Sequence, residues 1–195
     1  VKVTGEIKIF SQDIYNSEVE LSQLRKNVGM VFQRPNPLPL SIKDNIIFSH
    51  SLHMKERKYS NKEREEIVEK ALTKVLLWEK VKDKLKSPAL GLSLEEKQKL
   101  CIARLLPVQP HVLLMDEPCS ALDPKGTEAI EELISKLKEQ HTILVVTHNM
   151  AQARRVSDEC IFMLMGKVAE QSSTSQMFFH PKQKTTQNYI EGRYG

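Results

Sequence analysis

Two adjacent carboxylates, Asp116 and Glu117, end the short apolar run Val112-Leu-Leu-Met115 and are followed by Pro118. An Asp can hold a magnesium ion through water, and a Glu beside it can act as base toward a water molecule. Gln33 and His148 follow two further apolar runs, Val28-Gly-Met-Val-Phe32 and Thr142-Ile-Leu-Val-Val-Thr147. A Gln can bind the metal or orient the water, and a His can donate to a phosphate oxygen. Neutralising charge, positioning water and stabilising a transition state are the requirements of phosphoryl transfer. Singly, an acid pair or a His at a strand end reads as solvated surface. Four such groups at three strand ends favour a common site.

That site needs elements that bring the ends together. The three runs are short and lack polar alternation, which predicts strands buried on both faces of a parallel sheet. Open α/β sheets hold ligands at the carboxyl ends of their strands, so all four side chains are expected on one edge. Pro118 has no backbone donor and ends its strand.

The other segments fit the same class. Residues 5–10 alternate and predict a strand, and 19–26 a short helix. Arg34-Pro-Asn-Pro-Leu-Pro-Leu40 holds three prolines and must be an extended, exposed loop, a surface suited to a partner. Ser41 is placed to cap a helix from about Ile42, with Asp44 in its first turn. An amphipathic pattern runs from about Asn61 to Trp78. After a break at 85–92, Ser93 is placed to cap a helix over 94–106, ended by Pro107. Cys119 to Pro124 is a loop before a helix with Ile130, Leu133, Ile134 and Leu137 on one face. Residues 150–156 predict a helix, 160–169 a hairpin about Gly166, and the polar tail a short helix near Met177. The expected fold is α/β with a mainly parallel sheet and a helical insertion at 34–107.

At 195 residues the chain suits one domain with room for a small subdomain. No stretch approaches the length of a membrane span, and no secretory signal is expected. The net charge of +4 is mild, and lysines such as Lys80 to Lys86 alternate with acids, so nucleic acid is not expected as a partner. Three cysteines without a Cys-x-x-Cys argue against disulfides and zinc and fit reduced cytosolic thiols, with Cys101 in the core.

The motifs resemble those of the ATP-binding subunits of ABC transporters, most closely those of bacterial phosphate importers. Val112 to Pro118 resembles Walker B, with Glu117 as the catalytic acid. Ser120-Ala-Leu-Asp123 resembles the D-loop, Val146-Thr-His-Asn149 the switch-histidine loop and Met30-Val-Phe-Gln33 the Q-loop. Pro35-Asn-Pro-Leu-Pro-Leu-Ser-Ile42 and the ending Tyr189-Ile-Glu-Gly-Arg-Tyr-Gly195 are similar to the phosphate importers in particular. The resemblance implies Glu117 and His148 as catalytic residues, with Gln33, Asp116, Ser93 and Asp123 binding ATP. It implies magnesium on Asp116 and Gln33, directly or through water. It also implies a homodimer clamping two ATP molecules, membrane permease subunits docked near 34–42, and a peripheral position on the cytoplasmic face of the cell membrane. Residues 1–33 and 108–195 are then expected to form the ATPase core and 34–107 a helical subdomain carrying the coupling loop.

Two departures set further expectations. The phosphate cradle Gly-x-x-x-x-Gly-Lys-Ser/Thr occurs nowhere in the 195 residues. The sequence is therefore expected to begin after that cradle and to lack the strand before it, leaving the core incomplete and less stable. The signature Leu-Ser-Gly-Gly-Gln is replaced by Leu92-Ser-Leu-Glu-Glu96. Side chains and negative charge then occupy space that a phosphate needs, so ATP hydrolysis by the chain alone is not expected. The alternative is a non-catalytic, pseudo-ATPase subunit that docks on transporter membrane subunits.

Overall fold

The computed structural model describes residues 3–53 and 59–193. At its start β1 (Lys8–Ile9) and β2 (Gln12–Asp13) make a tight antiparallel hairpin, turned at Phe10 and Ser11 with φ of 51° and 62°. The alternating segment 5–10 therefore does not form one strand. Alternation needs a core to pack on, and most of these residues stay exposed.

Helix α1 (Leu21–Asn27) leads directly into β3 (Val28–Val31). The Pro-rich segment stays extended, and α2 (Ile42–His53) begins at Ser41, whose Oγ accepts the Asp44 N–H at 3.2 Å. Helix α3 (Asn61–Lys74) opens in a capping box of Ser60 and Glu63. It stops short of Trp78 because Leu76 turns left-handed at φ 56°, which buries Leu77 and starts the short α4 (Trp78–Val81). The apolar pattern outlasts the helix because the turn also buries its residues. Helix α5 (Leu94–Ala103) ends earlier than expected. The chain tightens there into a 3-10 turn at Leu106–Val108 that closes on left-handed Gln109.

After that turn come β4 (Val112–Asp116), α6 (Pro124–Leu137), β5 (Thr142–Val146) and α7 (Met150–Val156). An antiparallel hairpin follows, β6 (Glu159–Leu164) and β7 (Lys167–Ser173), turned at Met165 and Gly166. The tail forms α8 (Thr174–Phe179) and also α9 (Lys184–Ile190), which its weak patterning did not predict. Residues 1–2, 54–58 and 194–195 of the expected segments lie outside the described residues.

Strands β3, β4 and β5 form a parallel sheet with β4 in the middle. Paired residues share a face, so Gly29, Val31, Leu113, Met115, Ile143 and Val145 point one way. That face joins one buried cluster with Leu100 and Ile102 of α5 and Ile130, Leu133 and Ile134 of α6. The other face carries Met30, Leu114, Leu144 and Val146, and of these Met30, Leu144 and Val146 are exposed. The strands are thus buried on one face, not two. Their sequence is apolar on both sides, but the described helices cover only one. Residues 42–103 contribute four helices and, among the described residues, no strand of the sheet. No described helix is long and apolar enough to cross a membrane.

Candidate functional site

The parallel register gathers the three strand ends. Met115 pairs with Val31 and Asp116 with Val146, so Gln33, Glu117 and His148 leave the sheet on the same edge. Glu117 exits β4 in a left-handed conformation, φ 47°, and its N–H donates to the Val146 carbonyl at 2.9 Å. Such a backbone costs a residue with a Cβ about 1–3 kcal/mol, a strain that collects at sites where direction matters. The turn carries the Glu117 side chain across the end of β5 toward His148.

His148 Nδ1 donates to Glu117 Oε1 at 2.6 Å, and the His148 backbone N–H donates to the same oxygen at 3.2 Å. The carboxylate is largely sheltered, its side chain 19 % exposed, whereas the imidazole is 73 % exposed. Glu117 is thus oriented by a ring that itself faces outward.

The other expected residues are arranged less tightly. Asp116 lies on the open face at the end of β4, and its carboxylate accepts no hydrogen bond among the described residues. Gln33 is exposed, and its amide likewise has no partner among them. Both are therefore available to a ligand. Among the described residues no three His, Cys, Asp or Glu are grouped for a metal. A cation on Asp116 and Gln33 would complete its shell with water or phosphate oxygens, the habit of magnesium.

Asp123 and Ser93 are occupied as helix caps. Asp123 Oδ1 accepts the Gly126 N–H at 2.7 Å at the start of α6. Ser93 Oγ accepts the Glu96 N–H at 3.2 Å, and Glu96 Oε2 accepts the Ser93 N–H at 2.9 Å. This box satisfies donors at the α5 N-terminus that an anion would otherwise use. Glu95 pairs with Lys99 at 2.9 Å and Lys80 at 3.4 Å. Burial alone would raise its pKa. The hydrogen bonds and charges of the two lysines outweigh that and hold the carboxyl below the ordinary carboxylate range.

Three residues that sequence reasoning did not place in the site support it. Buried Asn45 accepts the Leu38 N–H at 2.7 Å and donates to the Ser41 carbonyl at 2.9 Å, pinning the Pro-rich loop. Arg104 donates to the Asn36 carbonyl at 3.1 Å. Gln98 donates from Nε2 to the Pro118 carbonyl at 3.1 Å and the Phe32 carbonyl at 3.3 Å. The signal for Gln98 was a lone amide within one turn of the apolar run Leu100-Cys-Ile-Ala103.

A family model described as ABC transporter matches residues 2–120. The phosphate import ATP-binding protein PstB 1 of Bacillus licheniformis is 54 % identical over the full chain, which covers 74 % of that protein. PstB 3 of Synechocystis sp. is 52 % identical, again over the full chain and 73 % of the relative. PstB of Mycoplasma mycoides is 48 % identical, over the full chain and 82 % of the relative. The fold is similar to a dimeric post-hydrolysis state of the ATP-binding cassette MJ0796 bound to ADP and Pi. That match has a TM-score of 0.74 and 28 % identity, covering 88 % of this chain and 74 % of the other.

Proposed function

The chain belongs to the ABC transporter family, and on that premise we propose that it handles ATP for an importer of inorganic phosphate. In this reading it sits on the cytoplasmic face of a membrane, against permease subunits, and pairs with a second copy. The observation that carries the reading is the Glu117–His148 contact, made on the strand edge where Asp116 and Gln33 are free to hold a cation. Identity of 48–54 % to phosphate import proteins over the whole chain supports the substrate.

Each residue then has a role its chemistry suits. Glu117 Oε2 has no partner among the described residues and is the oxygen that accepts a proton from water. His148 commits Nδ1–H to Glu117, so Nε2 donates outward only when the ring is imidazolium. Asp116 and Gln33 would hold magnesium, which neutralises phosphate charge. The pinned loop at 34–42 suits docking, because Asn45 and Arg104 remove its slack before a partner arrives. Residues 1–33 and 108–195 carry the water-handling core in this reading, and 34–107 the helical subdomain that meets the permease.

The phosphate half fits less well. Residues 1–195 contain no Gly-x-x-x-x-Gly-Lys-Ser/Thr. The Ser93–Glu96 box and the charge of Glu95 close the helix end where the family holds phosphate. These 195 residues alone are therefore assigned weak ATP binding and no turnover. The same box favours a second reading, a non-catalytic subunit that docks on the permease without hydrolysing ATP.

Co-expression with tagged membrane subunits of a phosphate importer tests both. Capture of the chain, weakened by Asn45→Ala, supports docking, and a chain left wholly in the soluble fraction refutes it. MgATP turnover by the captured complex, lost in Glu117→Gln, favours the first reading. Capture without turnover favours the second.

A further inference from the structure

Gln98 is fully buried in α5, at 0 % exposure. Its Nε2 bridges two carbonyls from different strands, that of Phe32, just before Gln33, and that of Pro118, just after Glu117. Reversing the amide would set Oε1 against two carbonyl oxygens, so chemistry fixes its orientation. Oε1 is left buried with no hydrogen-bond partner in the structure. An unpaired buried acceptor costs about 1–3 kcal/mol, a penalty that Leu or Met in the same space would avoid.

The same helix also grips the start of the Pro-rich loop. Cys101 Sγ approaches Asn36 Oδ1 at 3.7 Å, and the Arg104 guanidinium donates to the Asn36 carbonyl at 3.1 Å and to Asn36 Oδ1 at 3.3 Å. Gln98, Cys101 and Arg104 recur at a spacing of three, close to one face of the helix. That face follows the chain from Phe32 to Asn36 and reaches the end of β4 through Gln98.

We propose that Gln98 is a positioning residue that ties the Gln33 end of β3 to the Glu117 end of β4. A displacement of the loop at 34–40 then reaches Glu117 through α5. The penalty at Oε1 is the cost of a contact chosen for what it connects. The inference rests on the reading that Gln33 and Glu117 serve one site, yet the linkage itself is measured without turnover.

Amide hydrogen exchange on the purified chain provides the test. Arg104→Met releases Asn36 and loosens the loop. Exchange is expected to rise about fivefold at residues 33, 34 and 36, and also at Glu117, Cys119 and Ser120, in line with typical couplings between neighbouring groups. In Gln98→Met, which fills the space without the bridge, adding Arg104→Met raises exchange at 33, 34 and 36 only. The inference is overturned if Arg104→Met alone leaves residues 117, 119 and 120 unchanged, or if its effect reaches them equally with Met at position 98. Should Gln98→Met fail to give a cooperative melt, the Arg104→Met result alone decides. A chain with the linkage but no ATP handling in any complex keeps this inference and removes the functional reading. A chain with ATP handling and no linkage does the reverse.

Discussion

His148 Nδ1 and Glu117 Oε1 lie 2.6 Å apart, and the His148 backbone N–H converges on the same oxygen. This double contact holds the carboxylate from one side and fixes which ring nitrogen carries a proton. At alkaline pH, with the ring neutral, nitrogen NMR of the imidazole is expected to show the Nδ1–H tautomer. In Glu117→Ala the ring should move toward Nε2–H. An unchanged tautomer would mean that the pair does not exist in solution.

The Glu95–Lys99 pair carries a pH dependence whose sign is fixed. The Glu95 carboxyl titrates below its ordinary range when folded, so its contribution to stability is complete above its unfolded pKa. That contribution is lost as pH falls through the lower folded value. Glu95→Gln should cost about 1–3 kcal/mol near neutrality, because Lys99, its side chain 5 % exposed, loses its partner. The difference from the parent should shrink under acid. Urea melts from pH 7 to pH 3 measure this, and a constant difference across that range would refute it.

Gly29 marks the tightest approach of β3 to its neighbours. A Cβ there would lie 3.0 Å from Leu105 Cδ1 and 3.1 Å from Leu113 Cδ2. Gly29→Val should destabilise the chain by about 1–3 kcal/mol through overpacking, despite the strand preference of Val. Denaturant unfolding reads the change, and a stabilised variant would show that Leu105 yields freely.

The open sheet face is a liability. Met30, Leu144 and Val146 are exposed side by side with no described element over them. The chain is expected to bind a hydrophobic dye in its native state and to associate as concentration rises. Leu144→Thr with Val146→Thr should reduce both while keeping strand-forming residues. Sedimentation velocity showing a monomer at all concentrations, without dye binding, would contradict this.

Much of this was legible in the sequence. The strand-end positions of Asp116, Glu117, Gln33 and His148 follow from apolar runs that end in polar groups, and the parallel register does the rest. Ser41 and Ser93 were readable as caps because a hydroxyl before an apolar run has few other uses. The one-sided burial of β3 and β5 was not legible, since an apolar run does not say how many layers are present to cover it. Nor was Leu76, because a left-handed Leu follows from tertiary packing and not from propensity. Gln98 was hidden for the same reason. Its partners lie 66 and 20 residues away in sequence, and only the fold brings them to one amide.

The central claim is that these residues handle metal and water at Glu117 but do not hold phosphate alone. Calorimetric titration of the purified chain with MgATP, paired with a turnover assay, addresses it directly. The account predicts no saturable binding tighter than about 1 mM, where binding free energy falls to about −4 kcal/mol, and no turnover. Micromolar binding with turnover abolished by Glu117→Gln would contradict it.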